Sequence, residues 1–153
     1  QSVLDYKYKG MKSYTEFYAE EAVRACGRWI RRKNPQVLIP VPLHPRKKRI
    51  RGFNQAELLA RAIGRRMDLP VNRNILLRKR WTEPQKGVSG QARRHNLAKS
   101  MEIRYLPEKL HRVMLIDDIY TTGSTMEACA GILRQNGVEE IYFLTLCIGN
   151  GRG

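Results

Sequence analysis

One short segment, residues 113–125, constrains the fold of this chain more than any other feature. It begins with four apolar residues, 113–116, which predict a buried strand. Two adjacent carboxylates, Asp117 and Asp118, follow directly, and a loop rich in hydroxyl groups then leads into a helix that begins at Thr125. Two acids at the end of a buried strand are costly unless they have partners. This order therefore predicts a ligand site at the carboxyl end of that strand.

The loop after the two aspartates carries the groups that bind a phosphate. Backbone N–H groups at the start of a helix, together with side-chain hydroxyls, donate hydrogen bonds to phosphate oxygens. The aspartate carboxylates can accept hydrogen bonds from neighbouring sugar hydroxyls, so the segment favours a sugar phosphate. Taken singly, each part has a structural alternative, which is an acidic turn at residues 117–118 and an N-cap at Ser124. The predicted phosphate cradle is Thr121, Thr122, Gly123, Ser124 and Thr125.

Apolar segments alternate with amphipathic segments along the chain. Helices are predicted at residues 13–33, 54–67 and 125–136, the last of them closed by Gly137. Nearly continuous apolar strands that alternate with helices indicate an α/β fold, with a mostly parallel central sheet flanked by helices. A length of 153 residues suits one domain that spans residues 1–153. Strands are predicted at residues 37–41, 75–77, 101–105, 112–116 and 141–147.

Local chemistry refines this outline. Residues 43–53, after the first strand, are predicted to form a basic loop, and residues 117–124 a turn. Residues 78–98 show no period, and a stretch of that length inside a compact domain is usually functional or mobile. We therefore expect a flexible loop over the site. Two pairs have the spacing of a capping box at a helix start: Ser13 with Glu16, and Asn54 with Glu57.

Basic residues dominate the first two thirds of the chain. There are 29 Lys and Arg against 14 Asp and Glu, a net charge of +15. Residues 22–56 contain ten Lys or Arg and no acid. Such a surface attracts polyanions, which include nucleic acids, phosphorylated small molecules and acidic lipids. The densest cluster follows the first predicted strand, and we assign it to nucleic-acid phosphates, to pyrophosphate or to both: Arg46, Lys47, Lys48, Arg49 and Arg51.

Composition excludes several classes of protein. Hydrophobic residues make up 42% and charged residues 28%, which is typical of a globular domain and excludes a disordered tail. The longest clearly apolar run is far too short to span a bilayer, and no signal segment opens the chain. None of Cys26, Cys129 and Cys147 forms a C-x-x-C pair, so neither a zinc ribbon nor a disulfide framework is indicated. We expect a cytoplasmic protein without membrane insertion.

Residues 113–125 resemble the phosphoribosyl pyrophosphate (PRPP) motif of the type I phosphoribosyltransferases. The resemblance implies the fold of that class and a site for PRPP with Mg²⁺. It implies that Asp117 and Asp118 act as catalytic residues that hold the ribose hydroxyls and the metal, while residues 121–125 hold the 5-phosphate. By the same resemblance, the loop of Pro42, Leu43 and His44 faces the pyrophosphate and Mg²⁺.

A second resemblance, to the ComF (ComFC) family of competence proteins, extends along nearly the whole chain. That family is linked to natural DNA uptake, which implies PRPP, single-stranded DNA and the competence DNA-uptake machinery as partners. Many members carry an amino-terminal zinc ribbon with four cysteines, and residues 1–153 contain no such ribbon. The matching segments are YKG at 8–10, IPVPLH at 39–44, RGFNQAEL at 51–58, PQ at 84–85 and RRHNL at 93–97.

Two cations of the predicted flexible loop are candidates for catalysis. When a loop closes over a site, it can bring a cation onto a departing pyrophosphate, where negative charge develops in the transition state. Lys86 and Arg94 have the position in the sequence for this role. The alternative is that these side chains only keep a flexible loop solvated.

Three functions remain open on the sequence alone. The first is a PRPP-binding, phosphoribosyltransferase-like protein that handles single-stranded DNA during competence; if it is catalytic, an acceptor displaces pyrophosphate from C1 of the ribose. The second is a non-catalytic module that senses PRPP or a nucleotide. The third is a nucleobase phosphoribosyltransferase of nucleotide salvage, which needs an acceptor pocket that the sequence does not identify.

Overall fold

The structure is a computed structural model and describes residues 3–79, 91–92, 99–120 and 124–148, with the side chains of 9–79, 91–92, 99–118 and 125–146. Strands and helices alternate through most of this length. In chain order the elements are α1 (Val3–Lys33), β1 (Val37–Pro40), α2 (Pro45–Arg51), α3 (Gln55–Met67), β2 (Leu76–Arg78), β3 (Met101–Ile103), β4 (Arg112–Tyr120), α4 (Ser124–Gln135) and β5 (Glu140–Ile148).

A parallel sheet of three strands organises these elements, in the order β1, β4, β5. Val37 pairs with Val113 at one end of the β1–β4 ladder, and Pro40 pairs with Ile116 at the other. Strands β2 and β3 form a separate antiparallel pair. Because β1 and β4 run in the same direction, their carboxyl ends meet at one edge of the sheet, which we call the carboxyl edge. The parallel α/β architecture predicted from the sequence is confirmed.

The strands of this sheet are buried on both faces, which explains their nearly continuous apolar sequence. Side chains of successive strand residues point to opposite faces. Leu38, Met114 and Ile116 pack in one core with residues of α1 and α3. Val113 and Leu115 pack in the other core with residues of α4, β2 and β3. The sheet is therefore flanked by helices, as expected.

Helix α1 is longer than the sequence indicated, and the capping box at its start is wrong. The helix begins at Val3, so Ser13 lies inside it, and the Ser13 hydroxyl donates to the carbonyl oxygen of Lys9 at 3.3 Å. A serine inside a helix satisfies its hydroxyl in this way. Glu16 instead pairs with two arginines of α3. Of the helices within the described ranges, none is long and apolar enough to cross a membrane.

Helix α3 begins where the sequence predicted, at the N-cap Asn54. The Asn54 side chain accepts a hydrogen bond from the N–H of Ala56 at 3.0 Å and donates to the carbonyl oxygen of Val41 at 3.1 Å. The second contact fixes the start of α3 to the carboxyl edge. Glu57 does not complete a capping box, because its buried carboxylate pairs with Arg61 and Arg73.

The segment predicted to be a basic loop contains a helix, α2, which corrects the prediction for residues 45–51. Local caps explain it. Nδ1 of His44 accepts from the N–H of Arg46 at 3.0 Å, and Pro45 occupies the first turn, where a missing N–H costs nothing. Gly52 ends the helix with φ of 87°, a left-handed conformation that favours glycine.

Strand β4 continues past the point where the sequence predicted a turn. Its partner β5 is long enough to extend the ladder, pairing Asp117 with Thr145 and Ile119 with Cys147. The prediction of a turn is therefore wrong for residues 117–120. The two aspartates belong to the last part of the central strand, and α4 begins at Ser124.

Candidate functional site

Two aspartates of β4 form the centre of the candidate site. Both side chains are half-buried at the carboxyl edge. The N–H of Asp118 donates to Oδ1 of Asp117 at 2.9 Å. Asp118 also lines a cavity beside α1 and α3, whereas Asp117 lies near Cys129 of α4. The two side chains therefore lie towards opposite faces of the sheet.

The pKa of the Asp117 carboxyl is raised to about 8. Burial is the largest cause, followed by a hydrogen bond with the Asp118 side chain and by its negative charge; the backbone N–H of Asp118 acts in the opposite direction. Without a bound cation, Asp117 is therefore mostly protonated at neutral pH. Burial, with the charge of Asp117, also raises the pKa of the Cys129 thiol to about 12, so this cysteine stays protonated.

Cations of α2 lie close to the end of β2. The charge of Arg78, at the end of β2, acts on the Cys129 thiol that Asp117 also influences. Burial lowers the pKa of Lys47, and the charges of Arg78 and Arg51 lower it further. Lys47 and Arg51 are one helical turn apart, so α2 presents like charges towards the end of β2. A bound anion would reduce the repulsion among these three cations.

The loop predicted to face pyrophosphate starts beside the aspartates. The N–H of Val41 donates to the carbonyl oxygen of Ile116 at 2.9 Å, which places Pro42, Leu43 and His44 at the carboxyl edge. Nδ1 of His44 accepts the cap bond of α2, and its Nε2 lies 3.2 Å from the carbonyl oxygen of Lys79. With Nδ1 as the acceptor, Nε2 can donate to this carbonyl oxygen. His44 thus ties α2 to the residue that follows β2.

Several predicted site residues lie outside the described residues. They include Thr121, Thr122 and Gly123 of the phosphate cradle, and Lys86 and Arg94, the predicted catalytic cations. Ser124 opens α4, and Thr125 follows it with a half-buried side chain. The structure thus describes the two aspartates and two of the five predicted cradle residues, Ser124 and Thr125.

The sequence analysis missed a cavity of about 550 Å³ next to Asp118. Tyr14 and Tyr18 of α1 form one wall, with their ring centroids 4.4 Å apart. Aromatic and aliphatic walls with a few polar groups are typical of small-molecule sites. The spacing of Tyr14 and Tyr18, four residues apart in a predicted helix, was a usable signal. The other lining residues are Gly10, Met11, Thr15, Gln55, Leu59 and Leu146.

The aspartate pair fits a magnesium ion that arrives with a phosphorylated ligand. Mg²⁺ prefers oxygen ligands and is commonly held by one or two carboxylates together with substrate phosphates. Within the described side chains there is no cluster of three or more His, Cys, Asp or Glu that could form a metal site from protein ligands alone. Asp117 and Asp118 are therefore the residues that would hold the ion.

Comparison with known sequences finds relatives whose alignments cover about two thirds or more of this chain. No family model matches the chain. It is 40% identical over 122 residues to competence protein F of Haemophilus influenzae, across 78% of this chain and 53% of that protein. It is 34% identical to the DNA utilization protein YhgH of Escherichia coli O157:H7, across 74% of this chain and 49% of that protein. Competence protein ComFC of Bacillus subtilis is 35% identical across 66% of this chain and 39% of its own length.

The chain spans about half the length of the curated relatives it matches. Among solved structures, the crystal structure of a purine phosphoribosyltransferase from Pyrococcus horikoshii is similar, with a TM-score of 0.52 and 17% identity, across 86% of this chain and 73% of that one. At this identity the similarity shows the fold, which is that of a phosphoribosyltransferase.

Proposed function

Because this chain belongs to the ComF family of competence proteins, we propose that it binds PRPP with Mg²⁺ and contacts single-stranded DNA in the cytoplasm during natural competence. One observation carries the proposal. The half-buried pair Asp117 and Asp118 lies in the last part of the central strand, and the loop that leads into the basic helix α2 starts at the same edge of the sheet. This arrangement suits a ligand with both hydroxyl and phosphate groups.

Each part of PRPP has a candidate partner at the carboxyl edge. The side-chain oxygens of Asp117 and Asp118 accept hydrogen bonds from the ribose hydroxyls, and residues 121–125 donate hydrogen bonds to the 5-phosphate. The loop 42–44 and the cations near it face the pyrophosphate. Mg²⁺, when bound, neutralises charge on the pyrophosphate. If the protein is catalytic, the bond from C1 to pyrophosphate breaks as the acceptor bonds to C1, and Lys86 and Arg94 stabilise the leaving group.

Single-stranded DNA is the proposed ligand of α2. This helix has five cations and no acid within seven residues, and none of its side chains is buried. Phosphates of a flexible single strand can approach such a surface without a shaped pocket, and binding of this kind needs little sequence preference. The DNA-uptake machinery of competence is the setting in which incoming DNA is presented as a single strand.

A second candidate function is that of a nucleobase phosphoribosyltransferase. The cavity beside Asp118 favours it, because Tyr14 and Tyr18 provide an aromatic wall next to the proposed ribose site. A planar acceptor base in this cavity would lie close to C1 of the ribose. A non-catalytic module that senses PRPP is the remaining alternative. Formation of pyrophosphate separates the two, because only the enzyme consumes PRPP.

The proposal is tested by titrating the protein with PRPP in the presence of Mg²⁺ in a calorimeter. We expect saturable binding of one PRPP per chain, which weakens when EDTA removes the metal. A second measurement follows pyrophosphate release with candidate nucleobases and with single-stranded DNA as acceptors. A folded protein that shows no heat of binding at any PRPP concentration would contradict the proposed site.

Replacing Thr125 with valine tests the phosphate cradle. Valine keeps the size of the side chain and removes one hydroxyl donor, so we expect PRPP affinity to fall by about 1.5–3 kcal/mol, the range for a hydrogen bond to a charged group. Calorimetry measures the loss. Ser13→Ala is the control, because it removes an exposed hydroxyl that bonds within α1. If Thr125→Val binds PRPP like the wild type, the start of α4 does not hold the phosphate.

A further inference from the structure

A second basic surface lies on α3, away from α2. Arg61, Arg65 and Arg73 line a pocket of about 420 Å³. An adjoining pocket of about 220 Å³ is lined by Lys12 and Glu16 of α1 and again by Arg61 and Arg65. Both pockets are lined by these two arginines, and they adjoin each other between α1, α3 and the segment after α3. We call the two adjoining pockets the arginine groove.

The arginine groove is distinct from the carboxyl edge. The N-cap Asn54 of α3 is fixed to that edge through Val41. Arg61 and Arg65 follow it by seven and eleven residues, and at 1.5 Å per residue they lie about 10 and 16 Å further along the helix. The two surfaces can therefore be occupied at the same time.

A buried carboxylate positions two of the guanidinium groups. Glu57 is only 8% exposed, and its Oε1 accepts from Nη2 of Arg61 at 2.9 Å and from Nη1 of Arg73 at 3.1 Å. The two arginine side chains are about half exposed. Each guanidinium has five N–H donors. One donor of each is bound to Glu57, so the heads are held in place while other donors remain directed towards solvent.

Glu16 repeats this arrangement with the next pair. Its Oε1 accepts from Nη2 of Arg65, and its Oε2 accepts from Nη2 of Arg66 at 3.2 Å. Four arginines therefore share two carboxylates, and Lys12 adds a fifth cation at the edge of the groove. Surface ion pairs with one cation per acid contribute little and need no further explanation. Two cations per acid leave a net positive groove whose like charges repel each other until an anion binds.

Close backbone packing brings Arg73 into this cluster. A Cβ at Gly64 would lie 2.7 Å from the carbonyl oxygen of Leu69 and 2.9 Å from Cγ2 of Val71. Only glycine allows the segment after α3 to approach the helix so closely. The N–H of Leu38 donates to Pro70 and the N–H of Asn72 donates to Leu38, which fixes the same segment to β1. The groove is thus a built feature of the fold.

We propose that the arginine groove binds the phosphodiester backbone of a single nucleic-acid strand, as a second contact in addition to α2; this inference rests on the proposed function. Guanidinium groups bind phosphate oxygens through paired hydrogen bonds. Arg61 and Arg65 are one helical turn apart and so offer two phosphate positions about 6 Å apart. Successive phosphate positions along one helix favour a polymer over a mononucleotide.

The test uses the variant Arg61→Gln, Arg65→Gln. It leaves Arg73 on Glu57 and Arg66 on Glu16, so neither carboxylate loses both partners. Binding of a labelled oligothymidylate is followed by fluorescence anisotropy at several salt concentrations. We expect weaker binding, and a slope of log K against log salt that is smaller by about 1.4, because each lost contact to a single strand removes about 0.7. PRPP binding should remain unchanged.

Three controls make the result specific. The variant Arg28→Gln, Arg32→Gln changes two exposed arginines of α1 with the same spacing and the same loss of charge. If it loses as much DNA affinity as the groove variant, the effect is one of net charge, and the proposal is overturned. Arg61→Lys, Arg65→Lys keeps charge and salt bridges, and we expect intermediate affinity with most of the salt slope. If the Gln variant does not fold, the Lys variant is used for the test instead. Thymidine monophosphate should compete weakly; competition as strong as that of the oligonucleotide would overturn the polymer assignment.

Failure of the inference differs from failure of the proposed function. If wild-type protein binds the oligonucleotide and only α2 variants weaken it, the groove is not a DNA contact, while the proposed function stands. If wild-type protein binds no oligonucleotide at any salt concentration, both the DNA part of the proposed function and the groove assignment are wrong. Unchanged affinity and slope in a folded Arg61→Gln, Arg65→Gln variant would overturn the groove alone.

Discussion

The double variant Asp117→Asn, Asp118→Asn is expected to lose PRPP binding and to gain stability above neutral pH. Both effects arise from the same carboxyl pair at the end of β4. An amide keeps the shape of each side chain but carries no negative charge. It is a weaker acceptor for ribose hydroxyls and does not hold Mg²⁺ as a carboxylate does. Calorimetry with PRPP and Mg²⁺ measures the loss, and we expect no detectable binding.

The gain in stability follows from the raised pKa of Asp117. This pKa is about 8 in the folded protein and 3.8 for an unperturbed aspartate, as in the unfolded chain. Between these pH values the folded state therefore binds more protons than the unfolded state. Ionisation of the buried carboxyl therefore lowers wild-type stability as the pH rises from about 4 to about 8, with the full cost present above pH 8. Asparagine resembles the protonated form and does not ionise. At 1.36 kcal/mol per pKa unit, and with the side chain only partly buried, we expect a gain of about 2 kcal/mol.

Chemical denaturation at pH 5 and pH 8.5 measures this gain. The stability of the double variant relative to wild type should be greater at pH 8.5, because wild type has by then ionised Asp117. Asp118→Asn alone is the control, since the buried carboxyl at position 117 remains in it. A double variant that binds PRPP as tightly as wild type under matched Mg²⁺ would contradict the site. If it unfolds instead, the pair is structural, and the single variants then carry the binding test.

The strands and the position of the aspartate pair at the carboxyl edge were predictable because their causes are local. An apolar run buried on both faces has the same signature in any parallel sheet. The side chain of the N-cap Asn54 accepts a hydrogen bond from the N–H of Ala56, only two residues away. The paired aspartates at the end of such a run are enough to locate the carboxyl edge along the sequence. For these features, neighbouring residues contain all the information that is needed.

The features that sequence analysis missed depend on residues far apart in the chain. Glu16 had the spacing of a capping residue, but its partners Arg65 and Arg66 lie 49 and 50 positions away. The cavity beside Asp118 is formed by α1, α3 and β5, so no single segment reveals it. Helix α2 was missed for a different reason: its dense like charge is unfavourable in a helix, and only its two caps indicate it.

The triple variant Lys47→Ala, Lys48→Ala, Arg49→Ala is expected to weaken binding of single-stranded DNA strongly. The slope of log K against log salt should fall by about two units, since three phosphate contacts each contribute about 0.7 for a single strand. The variant should fold, because α2 has no buried side chain, alanine favours helices, and the loss of like charges relieves repulsion with Arg51 and Arg78. Fluorescence anisotropy of a labelled oligonucleotide at several salt concentrations measures both quantities.

The matched control for this variant is Arg28→Ala, Arg31→Ala, Arg32→Ala, which removes three exposed cations from α1. It should change the slope far less, because only a local contact, and not net charge, sets the number of displaced counterions. PRPP binding should suffer less than DNA binding in the α2 variant, since the ribose and 5-phosphate are assigned to residues 117–125. If the variant keeps full DNA affinity and an unchanged slope, α2 does not bind DNA. Equal loss of both ligands would indicate one shared anion site at which DNA and the pyrophosphate of PRPP compete, and an oligonucleotide should then displace PRPP from the wild-type protein.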